Sequence, residues 1–176
     1  MHLIFSHGHL SSPDSAKIRR LSPLAEAAGW WPRALDYRDL RDDAGGRVER
    51  LCEELAALQE PAVLVGSSMG GYVSVAAACR MPVRALFLLA PALYLNDRYP
   101  DAGLIDQDYP VQSGPICVIH GWHDEIIPWR NALRFAEARS ASLHLLDTDH
   151  GMHSAMDRFA ELFRVFLCDV GSGTRD

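Results

Sequence analysis

Positive charge is scarce in this chain. Seventeen Lys and Arg against 23 Asp and Glu give a formal net charge of -6, and no segment reads as a basic arm. A nucleic-acid partner therefore has no electrostatic footing. Long apolar runs are missing too. The longest, Ala85 to Leu95, is interrupted by Pro91 and is too short to span a bilayer, so no membrane partner is expected. Residues Met1 to Ser6 lack the charged start and extended apolar stretch of a signal peptide, which sets the expectation of a cytoplasmic protein. Cys52, Cys79, Cys117 and Cys168 show no C-x-x-C spacing, and each lies in an apolar segment. They are expected to be buried, reduced thiols. There are no internal repeats and no linker. The 176 residues suit one domain over residues 1–170, with 171–176 as a disordered tail.

What the chain does contain is alternation. Leu3-Ile4-Phe5 reads as a strand, followed by a helix predicted to be capped by Ser12 with Pro13 in its first turn. A second, edge-like strand lies within Trp30 to Tyr37, where Pro32 cannot donate to a ladder. Val48, Leu51, Leu55 and Leu58 recur at helical spacing. Apolar strands follow at Ala62–Val65, Arg84–Ala90, Ile116–Ile119 and Ser142–Leu146. Helices are expected over Met69–Met81, Pro128–Ser140 and Ser154–Leu167. Residues 91–115 read as loop with one helical turn at most. Strict alternation of strand and helix implies a compact α/β/α sandwich around a mostly or wholly parallel sheet of about six strands. In such sheets ligands bind beyond the carboxyl ends of the strands, and each polar cluster of interest follows a strand.

The first of these clusters is Gly66-Ser67-Ser68-Met69-Gly70, between a buried strand and a small-residue helix. Strand, sharp turn and helix with G-x-S-x-G at the turn is the nucleophile-elbow pattern. Side chains two residues either side of the nucleophile would collide in so tight a turn. Gly66 and Gly70 occupy those places if Ser68 is the nucleophile. For Ser67 they would be Val65 and Met69, so the spacing selects Ser68. A serine hydroxyl needs a base to take its proton and an acid to orient that base. His150 follows the last strand, in Asp147-Thr148-Asp149-His150-Gly151. Asp124 follows the strand before it, in His120-Gly121-Trp122-His123-Asp124-Glu125-Ile126-Ile127-Pro128. Ser68, Asp124, His150 is the chain order that this architecture uses. Asp147 and Asp149 are rival acids, disfavoured because they neighbour His150 in a loop. The helix following the elbow offers the backbone N–H of Met69 to a developing oxyanion.

At these residues the chain resembles the α/β-hydrolases, specifically small bacterial esterases without a lid. The acid loop is similar to the family's Gly-x-x-Asp-x-x-Val-Pro, with Ile127 in place of valine. His7-Gly8 matches the family's first loop, and His7 to Pro13 is similar to its His-Gly-x-x-Ser-Ser-Pro form. The resemblance implies a serine esterase acting on small acyl esters without a cofactor. It also implies a second oxyanion donor at the N–H of His9, with Leu10 as the alternative. Two antiparallel strands that often precede the first strand have no residues here, and the usual cap is reduced to the loop after Arg84–Ala90. The same machinery serves thioesterases, amidases, peptidases and acyltransferases, and a binding protein on the same scaffold is a further alternative. A metal enzyme is disfavoured. His7-x-His9, His120-x-x-His123 and His150-x-x-His153 match no H-E-x-x-H pattern. Four aspartates in residues 91–115 (97, 101, 106 and 108) point to a solvated loop and a shallow site preferring short acyl groups.

Overall fold

A computed structural model of the chain describes residues 1–95, 98–99 and 102–172. The chain alternates strictly. Strand β1 (His2–Ser6) precedes helix α1 (Ala16–Ala27), and β2 (Trp31–Leu35) precedes α2 (Ala44–Ala56). β3 (Val63–Ser67) runs into α3 (Met69–Arg80), and β4 (Ala85–Leu89) leads to the short α4 (Ala102–Asp106). β5 (Ile116–Gly121), α5 (Trp129–Arg139), β6 (Ser142–Leu146) and α6 (Met156–Ser172) complete it. The strands form one six-stranded sheet in the order β2-β1-β3-β4-β5-β6. Every pairing is parallel. This is an α/β-hydrolase-like sheet covered on both faces.

Alternation along the strands sorts the core in two. Leu3, Phe5, Val63, Val65, Phe87 and Ile119 face α1 and α6. Ile4, Leu64, Leu86, Leu88 and Val118 face α2, α3 and α5. A strand buried on both faces needs an apolar residue at every position, hence the unbroken apolar runs. Phe87 packs edge-on against Phe163 of α6, with ring centroids 5.0 Å apart. Full burial of a side chain of this size contributes about 1.5–3 kcal/mol.

Two boundaries differ from expectation. α1 begins at Ala16 under Ser15, whose hydroxyl accepts from the Ile18 N–H. Ser12 instead caps the turn before it, accepting from the Asp14 N–H. α6 continues to Ser172, so Gly171 and Ser172 are helical rather than tail, because Val170 still packs on the core. Residues 173–176, and Asp97 and Asp101 of the long loop, lie outside the described residues. The cysteines are not uniformly buried. Cys117 is buried, Cys52 and Cys79 are half-buried, and Cys168 is exposed because it sits one helical step off the stripe formed by Phe163, Phe166, Leu167 and Val170. Among the described residues no helix is long and apolar enough to cross a membrane.

The sheet reverses its winding between β1 and β3, since β2 lies to one side of β1 and all later strands lie to the other. The connections leaving β1 and β3 therefore part, opening a crevice at their carboxyl ends. Gly8 and Ser68 meet there. A Cβ placed on Gly8 would lie 3.5 Å from Ser68 Cβ.

Candidate active site

Ser68 sits between β3 and α3 with φ 55° and ψ -120°, a conformation that costs a non-glycine residue energy and survives only where the surroundings impose it. Here they do. The Ser68 N–H donates to Leu89 O at the end of β4, and its carbonyl accepts from the N–H groups of Gly71, Tyr72 and Ala92. The two glycines of the motif are required by different neighbours. A methyl on Gly66 would collide with the carbonyl of Gly70, across the turn. One on Gly70 would strike the carbonyl of Ser6, on β1. Gly71 is constrained too, by Pro91.

His150 Nε2 lies 3.0 Å from Ser68 Oγ, and His150 Nδ1 lies 2.7 Å from Asp124 Oδ2. A carboxylate only accepts, so Nδ1 carries the proton and Nε2 presents its lone pair to the serine hydroxyl. Asp124 has no exposed side-chain surface. Its Oδ1 accepts from the Ile126 and Ile127 N–H groups at 2.9 and 2.8 Å. Its Oδ2 accepts from His150 and also lies 3.1 Å from His120 Nε2. Burial alone would raise the carboxyl. The hydrogen bonds from His120, His150 and the Ile127 backbone outweigh it and hold Asp124 well below the usual carboxylate range. The two loops are laced by backbone bonds from Trp122 to Leu146 and from His123 to Thr148. Asp147 is engaged by His123, and Asp149 Oδ1 accepts from the Met152 N–H, so each rival acid has another partner.

Met69 opens α3 and is buried. His9 lines the same cavity, but its ring turns to the rim, where Nε2 meets Asp42 at 2.6 Å. Leu10 is exposed. The cavity beside Ser68 has a volume of about 850 Å³ and is lined on the far side by Ala92, Arg98 and Tyr99. Tyr99 of the long loop stacks on Tyr72 (centroids 4.3 Å apart) and forms part of the wall.

Four residues to which the sequence assigned no catalytic or oxyanion role shape this site. Arg47, fully buried, spreads its guanidinium over the carbonyls of His7, Gly8, His9, Leu40 and Arg41 and lies against the Tyr37 ring, 5.2 Å from its centroid. Its signal was present: Arg47, Leu51 and Leu55 fall at i, i+4, i+8, so an arginine occupies the apolar stripe of α2. His7 completes the loop's fixing. Its Nε2 accepts from the Tyr37 N–H and its Nδ1 donates to Gly8 O, and burial lowers its pKa. His120, also fully buried, shares its Nε2 proton between Asp124 and Ile127 O, at 2.9 Å from the latter, while its Nδ1 has no partner among the described residues. Lys17 of α1 donates to Ser67 Oγ at 3.1 Å. Among the described residues no three His, Cys, Asp or Glu side chains gather as metal ligands.

The family described as uncharacterised protein family UPF0227 matches residues 2–110, a stretch that includes the elbow. A structure from Xanthomonas campestris pv. campestris, described as a candidate hydrolase of the alpha/beta superfamily, is 34% identical. It superposes with a TM-score of 0.82, over 96% of this chain and 98% of its own. Palmitoyl-protein thioesterase ABHD10, mitochondrial, from Pongo abelii is 21% identical over 95% of this chain and 71% of its own length. Est1E from Butyrivibrio proteoclasticus is 14% identical, with a TM-score of 0.79 over 97% and 88% of the two chains. At those last two identities the likeness speaks for the fold.

Proposed function

The chain belongs to the UPF0227 family and to the alpha/beta-hydrolase superfamily, and from that premise we propose that it is a serine hydrolase cleaving small acyl esters through an acyl-enzyme. The observation that carries the reading is the unbroken run from Ser68 Oγ through His150 to the buried Asp124 carboxylate, at 3.0 and 2.7 Å. Ser68 Oγ attacks the ester carbonyl carbon as its proton passes to His150 Nε2. Asp124 stabilises the imidazolium that forms. The carbonyl oxygen, now negative, is received by the N–H groups of Met69 and His9. Collapse expels the alcohol, which takes the proton from His150. Water, deprotonated by the same imidazole, then releases the acid and restores Ser68. None of these steps calls for a cofactor. Four free thiols fit the reducing cytoplasm.

A fluorophosphonate probe, which phosphonylates an activated serine, tests this directly. Ser68 is the residue expected to be labelled, and Ser68→Ala is expected to lose several orders of magnitude in kcat with normal folding. Labelling of Ser67, or no labelling of protein active on esters, would sink the assignment. The likeness to a thioesterase, faint as it is, makes acyl thioesters the comparison series for the esters. The acyl length that gives the highest kcat/KM then measures how much of the 850 Å³ cavity the substrate fills.

A further inference from the structure

We infer that Lys17 is an anion subsite beside Ser68, so that the preferred substrate is an ester bearing a carboxylate on a short arm. The hydrolase reading supplies the ester, and Lys17 supplies the charge.

Lys17 is the one lysine in a chain whose other sixteen cationic side chains are all arginine. The difference is chemical. Arginine's fork suits fixed, many-bonded positions, whereas lysine is a compact charge with three donors on a flexible stem. Among the described residues, eight of the arginines, Arg20, Arg33, Arg38, Arg50, Arg80, Arg84, Arg134 and Arg164, pair with carboxylates, and Arg47 is saturated by carbonyls. Lys17 takes part in no ion pair among the described residues. Its ammonium donates to one neutral hydroxyl, Ser67 Oγ, which leaves donors free for a ligand.

The setting makes this cation costly. Lys17 borders both the large cavity and a small apolar void lined by Phe5, Ile18, Leu21, Val65 and Leu89. Burial pulls its pKa down to about 8, while Asp124 and Asp149 pull the other way. Neither carboxylate forms an ion pair with it among the described residues. Asp124 is bound by two imidazoles and two backbone N–H groups, and Asp149 by the Met152 N–H. At neutral pH the cavity therefore holds a partly desolvated positive charge with no ion-pair partner among the described residues, and such a charge gains from an incoming anion.

The rest of the lining agrees. Among the described residues, the Lys and Arg side chains in the cavity wall are Lys17 and Arg98, and the one carboxylate, Asp42, is held by His9. A chain of net charge -6 thus places two cationic side chains in the wall beside the reacting serine. Because Ser67 and Ser68 are consecutive, their Cα atoms are about 3.8 Å apart, and an anion on Lys17 lies within a short arm of the ester carbon.

The test compares monoethyl esters of succinate, glutarate and adipate, and acyloxy-carboxylates with the charge on the alcohol side, with neutral esters of matched size. In the wild type at least one anionic ester should exceed its neutral counterpart about tenfold in kcat/KM, the worth of one charge-assisted hydrogen bond. In Lys17→Met, with an unchanged thermal melting point, that ratio should fall to about one, through KM. A wild type that prefers neutral esters throughout, or a ratio that survives Lys17→Met, would overturn the subsite. A second readout needs no turnover. In Ser68→Ala, Lys17 carries the only ε-amine, so its acetylation by an N-hydroxysuccinimide ester is read by peptide mass, with the N-terminal amine as control. Glutarate should slow acetylation at Lys17 alone; equal rates with and without it overturn the subsite. A wild type silent to fluorophosphonate overturns the hydrolase reading and leaves the glutarate result standing.

Discussion

On one side of Ser68 the loops after β5 and β6 present side chains, whereas on the other the loop after β1 is proposed to act through its backbone, and each is held by the opposite means. Asp124 and His150 are aimed by backbone N–H donors, by His120 and by the lacing of the two loops on each other. The run His7-Gly8-His9 is held by side chains, with Arg47 gripping its carbonyls from below and His7 closing on Tyr37 and Gly8. A wall that acts through side chains leaves its main chain free to be the scaffold. A wall that acts through main-chain N–H groups must have its carbonyls tied down elsewhere.

The comparison breaks most visibly at Asp124. Asp124→Asn keeps the shape but turns an amide donor toward His150 and favours the wrong tautomer, so kcat should fall about 10⁴-fold. The same variant reports on stability. A carboxyl held below its unfolded value stabilises the fold above that value and ceases to do so as pH falls through the folded one. The gap in urea midpoint between wild type and Asp124→Asn should therefore be steady above about pH 4 and shrink below it. A gap that is unchanged into acid would mean the carboxylate's bonds contribute nothing to folding.

Arg47→Met attacks the other wall. Five carbonyls lose their donor, at about 1–3 kcal/mol for each that stays buried and unpaired, so the urea midpoint should drop clearly. If the loop's N–H groups lose their aim, kcat should drop about 10²–10³-fold, while the pH profile keeps its wild-type shape. A shifted profile would show that Arg47 acts through the triad and that the two walls are not separable.

The smallest effect sharpens the contrast. His9→Ala removes a ring that faces Asp42 at the rim and leaves the main-chain N–H in place. Activity should stay within about threefold of wild type, the range of an exposed substitution. A collapse of kcat with normal folding would make His9 a side-chain participant.

The same division explains what could be read from the chain before its structure. The sheet was legible because strands buried on both faces must be apolar at each position, as Ala85–Leu89 is. Ser68 was legible because two steric collisions demand Gly66 and Gly70. Asp124 and His150 came from their places after the last two strands. The cap of α1 was misplaced because Ser12 and Ser15 offer the same hydroxyl, and only the turn at Pro13-Asp14 decides between them. The loop after β1 was legible only through the resemblance at His7-Gly8, and how it is held was opaque. Its anchor lies on α2, about forty residues from the loop it holds, and nothing local to His7-Gly8-His9 announces it. Lys17 gave no periodic signal at all; its meaning depends on Ser67 being 50 positions away in sequence and 3.1 Å away in space.

Gly70 has a consequence beyond the elbow. Its missing side chain lets α3 rest directly on the carbonyls of Ser6 and His7, so Met69 on one element and His9 on the other are spaced by contact rather than by any bond. On the proposed mechanism, the aperture between these two N–H groups is gauged by an absent methyl group. A spacer of one carbon there would push the start of α3 away from β1 and carry Ser68 and Met69 with it.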